Sequence, residues 1–131
     1  MLKIRIRADE TAVDTTPLSG DRPIDDIHLF RMTLGDHHLE HEVLRLFDRQ
    51  IELLLARMEN AEECAVATLA HTLKGSARGV GAWDVARSAE AVEAAVAQGV
   101  GVAEACARLA AAADAVREAI AQILNENRHV R

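Results

Sequence analysis

Aromatic residues are nearly absent from this sequence. Tyrosine does not occur, and two phenylalanines and one tryptophan make up 2% of the 131 residues. A surface that stacks nucleobases needs exposed aromatic rings, and one that follows a phosphate backbone needs an excess of basic residues. Lys and Arg number 15 against 21 Asp and Glu, which gives a formal net charge of −6. Both features argue against a nucleic-acid-binding protein.

Cysteine and long apolar runs are scarce as well. The two cysteines, Cys64 and Cys106, do not make a disulfide framework, so a reducing compartment is the simpler interpretation. No uninterrupted apolar run approaches the roughly 20 residues of a membrane span. The basic start MLKIRIRADE lacks the apolar stretch of a secretory signal. We therefore expect a cytoplasmic protein, and the length predicts a single domain.

The first 23 residues differ in pattern from the rest of the chain. Both prolines, Pro17 and Pro23, lie in this stretch, and apolar and basic residues alternate in LKIRIR near its start. No helical period runs through the residues between Ala8 and Pro23, which is typical of a linker or a loosely attached arm. We predict an arm over residues 1–23 and a helical domain over residues 24–131.

Residues 24–131 carry apolar side chains at three- and four-residue steps, the period of an amphipathic helix. Asp25 and Asp36 are suited to cap a short first helix and a long second one, and Gly79 and Gly81 are expected to break the third. Because the connections are short, successive helices should be antiparallel. The sequence predicts an all-α fold, an up-down four-helix bundle with a short extra N-terminal helix. The predicted core stripe of its second helix is Leu39, Val43, Leu46, Phe47, Ile51, Leu54 and Met58.

The third helix carries a histidine on the side away from its apolar stripe. At about 100° per residue, His71 lies roughly 150° from the centre of that stripe, which predicts an exposed ring. A neutral imidazole is a competent nucleophile near neutral pH. Gly75, one turn on, costs the helix about 1 kcal/mol relative to alanine, which favours close approach by another protein. Lys74 and Arg78 bring positive charge to where a phosphoryl group on His71 would be negative.

The segment AHTLKGSARGVGA, residues 70–82, resembles the signature of histidine-containing phosphotransfer (HPt) domains. That pattern is a histidine, any residue, an aliphatic residue, a Lys-Gly pair, small residues and a later Gly-Ala pair. The likeness runs from about Ile24 to Asn127. The matching residues are His71, Leu73, Lys74, Gly75, Ser76, Ala77, Gly81 and Ala82.

The resemblance implies a role for each of four residues. His71 accepts and donates a phosphoryl group, Lys74 interacts with that group electrostatically, and Gly75 keeps the imidazole accessible. Arg78 stands where the family often has a polar residue. The family passes phosphoryl groups between receiver-domain aspartates, or from a sensor or hybrid histidine kinase to a receiver, and has no ATP site.

The same resemblance implies the cofactors and partners. The receiver supplies the acceptor aspartate and the Mg²⁺, so the chain is expected to be a phosphoryl carrier without a cofactor or metal of its own. It is expected to be a monomer and not an enzyme. Receiver domains would bind a modest apolar patch on the second and third helices around His71.

Other interpretations stay open from sequence. An adaptor bundle that binds receivers and never carries phosphate would have the same helices, whereas a histidine kinase fragment would need nucleotide-binding motifs that are missing here. His37 and His41 are one turn apart and, with His38, could share a metal, although a solvated helix start is the better interpretation. Cys64 on the His71 face could act as a redox gate, but an inert thiol is the simpler hypothesis.

Overall fold

The computed structural model describes residues 22–130, with side chains as far as residue 126. Its helices are α1 (Asp26–Met32), α2 (His37–Glu59), α3 (Glu63–Val80), α4 (Trp83–Gln98) and α5 (Val102–Val130). No strand occurs within this range. Helices α2 to α5 form the up-down bundle and α1 is the short extra helix, so the predicted fold class is confirmed. The predicted arm lies outside the described residues except for its last two positions.

Asp25 and Asp36 cap the starts of α1 and α2, and glycines cap the ends of α3 and α4. The side chains of Asp25 and Asp36 each accept the backbone N–H three residues on at 3.1 Å, as N-caps of α1 and α2. Helices α3 and α4 end at Gly81 and Gly99, which adopt φ values of 84° and 72°. The prediction that Gly79 breaks α3 is wrong, because the helix continues through it and only Gly81 leaves the helical conformation.

Helix α2 carries two neighbouring apolar stripes, and only one of them faces the core. Leu39 and Leu46 are 43% and 64% exposed, so their predicted core positions are wrong. Leu44, which is fully buried, takes the inner position instead. Because α2 has 3.6 residues per turn, burying Leu44 turns the second stripe, which includes Leu39 and Leu46, toward solvent. The buried stripe consists of Leu44, Phe47, Ile51, Leu54 and Met58.

Helices α3 and α4 form the most extensive helix pair of the bundle. Its buried positions include several alanines, whose small side chains let the two helices approach closely. Only Gly81 and Ala82 connect the helices, so the pair is a tight antiparallel hairpin. The buried alanines of this hairpin are Ala70, Ala77, Ala82, Ala86, Ala89 and Ala95.

Helix α1 is fastened to the connection between α3 and α4. The backbone N–H of Asp25 donates to the carbonyl of Gly81 at 2.9 Å, and the indole Nε1 of Trp83 donates to Oδ2 of Asp25 at 2.8 Å. Nε2 of His28 lies 3.2 Å from the carbonyl oxygen of Gly79, and its ring meets that of Trp83 edge-on at 5.0 Å. Hydrogen bonds from Trp83 and from the backbone of His28 hold the pKa of Asp25 below its usual value. Through these contacts, α1 covers the end of the α3–α4 hairpin.

No helix in the described part of the chain combines the length and the apolar character that a membrane span requires.

Candidate functional site

His71 lies near the middle of α3 with its ring turned toward solvent. The side chain is 69% exposed, and Nδ1 lies 2.8 Å from Oε2 of Glu93 on α4. Because an ionised carboxylate only accepts hydrogen bonds, Nδ1 carries the proton in this contact. Nε2 then holds the lone pair, and no described residue hydrogen-bonds to it. The carboxylate therefore selects the tautomer whose outward nitrogen is nucleophilic.

Lys74 contacts the same carboxylate. Its Nζ lies 2.7 Å from Oε1 of Glu93, and the side chains of Lys74 and Glu93 are 14% and 24% exposed. The hydrogen bond from Lys74, with a further one from His71, holds the pKa of Glu93 below its usual value although partial burial opposes this. The structure thus places the Lys74 charge on the carboxylate that holds Nδ1, whereas the sequence predicted a charge directed at a phosphoryl group.

Glu93 is the candidate site residue that the sequence reasoning missed. It lies 22 residues after His71 and on another helix, outside the segment that carries the family signature. A usable signal was nevertheless present in the hairpin. In an antiparallel pair, residues equidistant from the turn lie opposite each other. His71 and Glu93 are each 11 residues from Ala82.

The remaining predicted residues lie on the exposed side of α3. Nη2 of Arg78 is 3.9 Å from Oε1 of Glu90, with both side chains more than half exposed, so this pair contributes little to stability. It does not join the His71–Glu93 contact. A Cβ added at Gly75 would have nothing within 4 Å, so the packing of the domain does not require glycine there. Cys64 is an exposed free thiol in the first turn of α3.

The histidines of α2 gather at its N-terminal end. Nδ1 of His37 lies 3.5 Å from Oε1 of Glu40. His38 is exposed and His41 is partly buried. Within the residues whose side chains are described, no group of three or more His, Cys, Asp or Glu is arranged to hold a metal ion.

A shallow apolar groove of about 490 Å³ runs between α2 and α3. It lies on the opposite edge of α3 from Glu93, and Leu46 of the outward stripe contributes to it. Ser76, its nearest α3 residue to His71 in sequence, is roughly 8 Å from His71 along the helix axis. Five residues after His71, Ser76 also lies about 140° around the helix, so the groove is on the α2 side of α3 while the imidazole is on the α4 side. The groove is lined by Val43, Leu46, Phe47, Gln50, Ser76 and Val80.

Comparison with known proteins establishes the family. Residues 42–126, more than half of the chain, match the family model of the Hpt domain. The chain belongs to the Hpt domain family. The resemblance predicted from the signature is therefore confirmed. Neither the search of curated proteins nor that of solved structures gave a match.

Membership in the Hpt domain family gives the chain a general role. Hpt domains are phosphotransfer carriers of two-component phosphorelay signalling, in which they interact with receiver domains and histidine kinases. The matched range contains all of α3 and α4, so the contacts of His71, Lys74 and Glu93 lie within the Hpt domain.

Proposed function

We propose that this Hpt domain carries a phosphoryl group on Nε2 of His71 in a multistep phosphorelay. The observation that supports this most is the contact of Nδ1 with Glu93, which leaves Nε2 of a 69% exposed side chain as the free nitrogen. The phosphoryl group comes from a receiver-domain aspartate or a histidine kinase and passes on to a receiver. The receiver brings the aspartate and Mg²⁺, and the Hpt domain brings the positioned nucleophile.

The transfer step balances with the groups at this site. The Nε2 lone pair of neutral His71 attacks the phosphorus of an aspartyl phosphate. A P–N bond forms while the P–O bond to the aspartate breaks, and the aspartate leaves as a carboxylate. Nδ1 keeps its proton, so the ring gains a positive charge that the Glu93 carboxylate stabilises. The reverse step returns the phosphoryl group to an aspartate and restores the neutral ring.

The receiver contacts the face of α3 that carries His71 and extends around the helix to the groove between α2 and α3. Leu46 exposes most of its side chain there, and covering such apolar surface favours association by about 25 cal/mol for each Å² removed from water. Arg45 and Glu42 pair at 3.4 Å on the exposed face of α2, which provides the charged rim that is common around apolar interface centres.

Phosphoryl transfer from a phosphorylated receiver tests this proposal. Wild type is compared with His71→Gln and with His38→Gln, which removes another exposed histidine on α2. We expect an acid-labile, base-stable label on wild type and on His38→Gln, and none on His71→Gln. Circular dichroism should show the same helicity for all three, because the His71 ring is outside the core.

Three results would contradict the proposal. A label that persists on His71→Gln would place the phosphoryl group elsewhere. Binding of receivers without any label from several competent donors would favour an adaptor. A label obtained from ATP alone would indicate a kinase activity.

A further inference from the structure

Lys74, Glu93 and His71 form a continuous line of contacts across the α3–α4 hairpin. The Lys74 ammonium lies 2.7 Å from one carboxylate oxygen of Glu93, and the other oxygen lies 2.8 Å from Nδ1 of His71. We infer that Lys74 is a positioning residue that acts on His71 through Glu93 and not by direct contact with the phosphoryl group. This inference rests on the proposed function for its kinetic consequences, whereas its structural consequence concerns the unphosphorylated domain.

The burial of the Lys74–Glu93 pair is the first argument. Oε1 of Glu93 is shielded from solvent, and the charged group of the described residues that contacts it is the Lys74 ammonium at 2.7 Å. The Lys74 ammonium is therefore its counter-ion. A buried carboxylate oxygen without a partner is strongly unfavourable, so loss of Lys74 would displace, hydrate or protonate the carboxylate. Each of these outcomes weakens the contact of Glu93 with Nδ1 of His71.

The position of Lys74 is the second argument. Three residues after His71, it lies about 60° around the helix on the side of α4, and its side chain is only 14% exposed. A phosphoryl group on Nε2 would stand on the solvent side of the 69% exposed histidine. An ammonium that moved from Glu93 to that group would leave the shielded oxygen without its counter-ion. The geometry therefore favours an ammonium that stays on the carboxylate.

The unprotonated state of Nε2 of His71 depends on the contacts of Lys74 and Glu93. Glu93 keeps the proton on Nδ1 only while its carboxylate is ionised and oriented toward the ring. Lys74 supplies both conditions, since it favours the ionised form and holds one oxygen in place. Replacing Lys74 should therefore change the tautomer of His71 before any partner is present.

The first experiment measures that tautomer. Two-dimensional ¹⁵N–¹H spectra of the imidazole, recorded on the full unphosphorylated chain above the titration range of histidine, report which ring nitrogen carries hydrogen. We expect Nδ1–H for wild type and a mixture of the two tautomers for Lys74→Met. Arg87→Met is the control, because it breaks an exposed ion pair with Asp84 on α4 and should leave the spectrum unchanged. An unchanged His71 tautomer in Lys74→Met would overturn the inference.

The second experiment is a double-mutant cycle on the rate of transfer. Lys74→Met and Glu93→Gln should each slow transfer by about tenfold, within the coupling range of contacting residues. The double variant should be no slower than Glu93→Gln alone. Losses that multiply would show that Lys74 acts on the phosphoryl group independently of Glu93, and would overturn the inference.

The two experiments separate the inference from the proposed function. If wild type accepts no phosphoryl group from any donor while Lys74→Met still shifts the tautomer, the proposed function is wrong and the positioning role stands. If wild type is labelled and the tautomer does not depend on Lys74, the proposed function stands and the positioning role is wrong.

Discussion

Gly75 allows the stability of the domain to be separated from its reactivity. It lies one turn after His71 inside α3, where an added Cβ would have no neighbour within 4 Å. Glycine in an exposed helix interior is about 0.8–1.0 kcal/mol less favourable than alanine. Gly75→Ala should therefore increase the free energy of unfolding by about 1 kcal/mol. For a domain of roughly 100 residues this corresponds to a rise in Tm of about 4 °C.

The same substitution should slow phosphoryl transfer, because the new methyl group stands on the surface beside the imidazole that a partner must approach. Gly75→Leu should slow transfer more strongly, since its side chain covers more of that surface. Gly79→Ala is the matched control. Gly79 is also helical and open for 4 Å around a new Cβ, but it lies a further turn from His71. It should give the same gain in Tm with a smaller effect on transfer.

Two assays decide this prediction. Thermal melts followed by circular dichroism measure the change in stability, and single-turnover transfer from a phosphorylated receiver measures the change in reactivity. A lower Tm for Gly75→Ala would show that the packing of the domain requires the glycine. Wild-type transfer by Gly75→Leu would refute the reasoning that a partner approaches α3 closely at this point.

Two further predictions concern the start of the domain. Asp25→Ala should lower Tm more than Asp36→Ala. Each substitution removes an N-cap worth about 1 kcal/mol, but Asp25 also accepts the indole N–H of Trp83, and a hydrogen bond to a charged group contributes about 1.5–3 kcal/mol. Equal losses of Tm in thermal melts would contradict this prediction. Since the pKa of Asp25 is lowered in the folded state, its contribution is present above the ordinary value of 3.8 and is lost as the pH falls through the lowered value, so the excess loss should shrink in melts at lower pH. Leu34→Asn should raise the free energy of unfolding by about 1 kcal/mol. Leu34 is 91% exposed at a φ of 55°, a conformation that costs leucine roughly 1–2 kcal/mol and that asparagine tolerates. A reduced Tm would show that leucine is preferred there.

The core of α3 was predictable from sequence, and that of α2 only in part. In α3 a single apolar stripe leaves one way to face the bundle, and Leu73 and Ala77 are fully buried as its period requires. In α2 two apolar stripes lie side by side. Whether Leu44 or Leu46 points inward depends on how the helix is rotated against α3 and α5, which is a property of the whole bundle.

The candidate site was likewise predictable only in part from the sequence. The position of His71 away from the core stripe follows from the period of one helix. The partner of Lys74 does not, because a long flexible side chain can reach in several directions. Its choice of Glu93 depends on the register of α3 against α4, and that register is a tertiary feature. The role of the lysine could therefore be inferred only after the two helices were placed together.

Helix α3 packs against α4 along one edge and against α2 along the other. Glu93 of α4 meets His71 on one edge, while Leu46 and other α2 side chains border the groove on the other. Substitutions along the outer stripe of α2 can thus vary the surface offered to a partner without touching any atom that holds the imidazole. Copies of this domain could therefore differ along the outer face of α2 while they keep the same contact between Glu93 and His71.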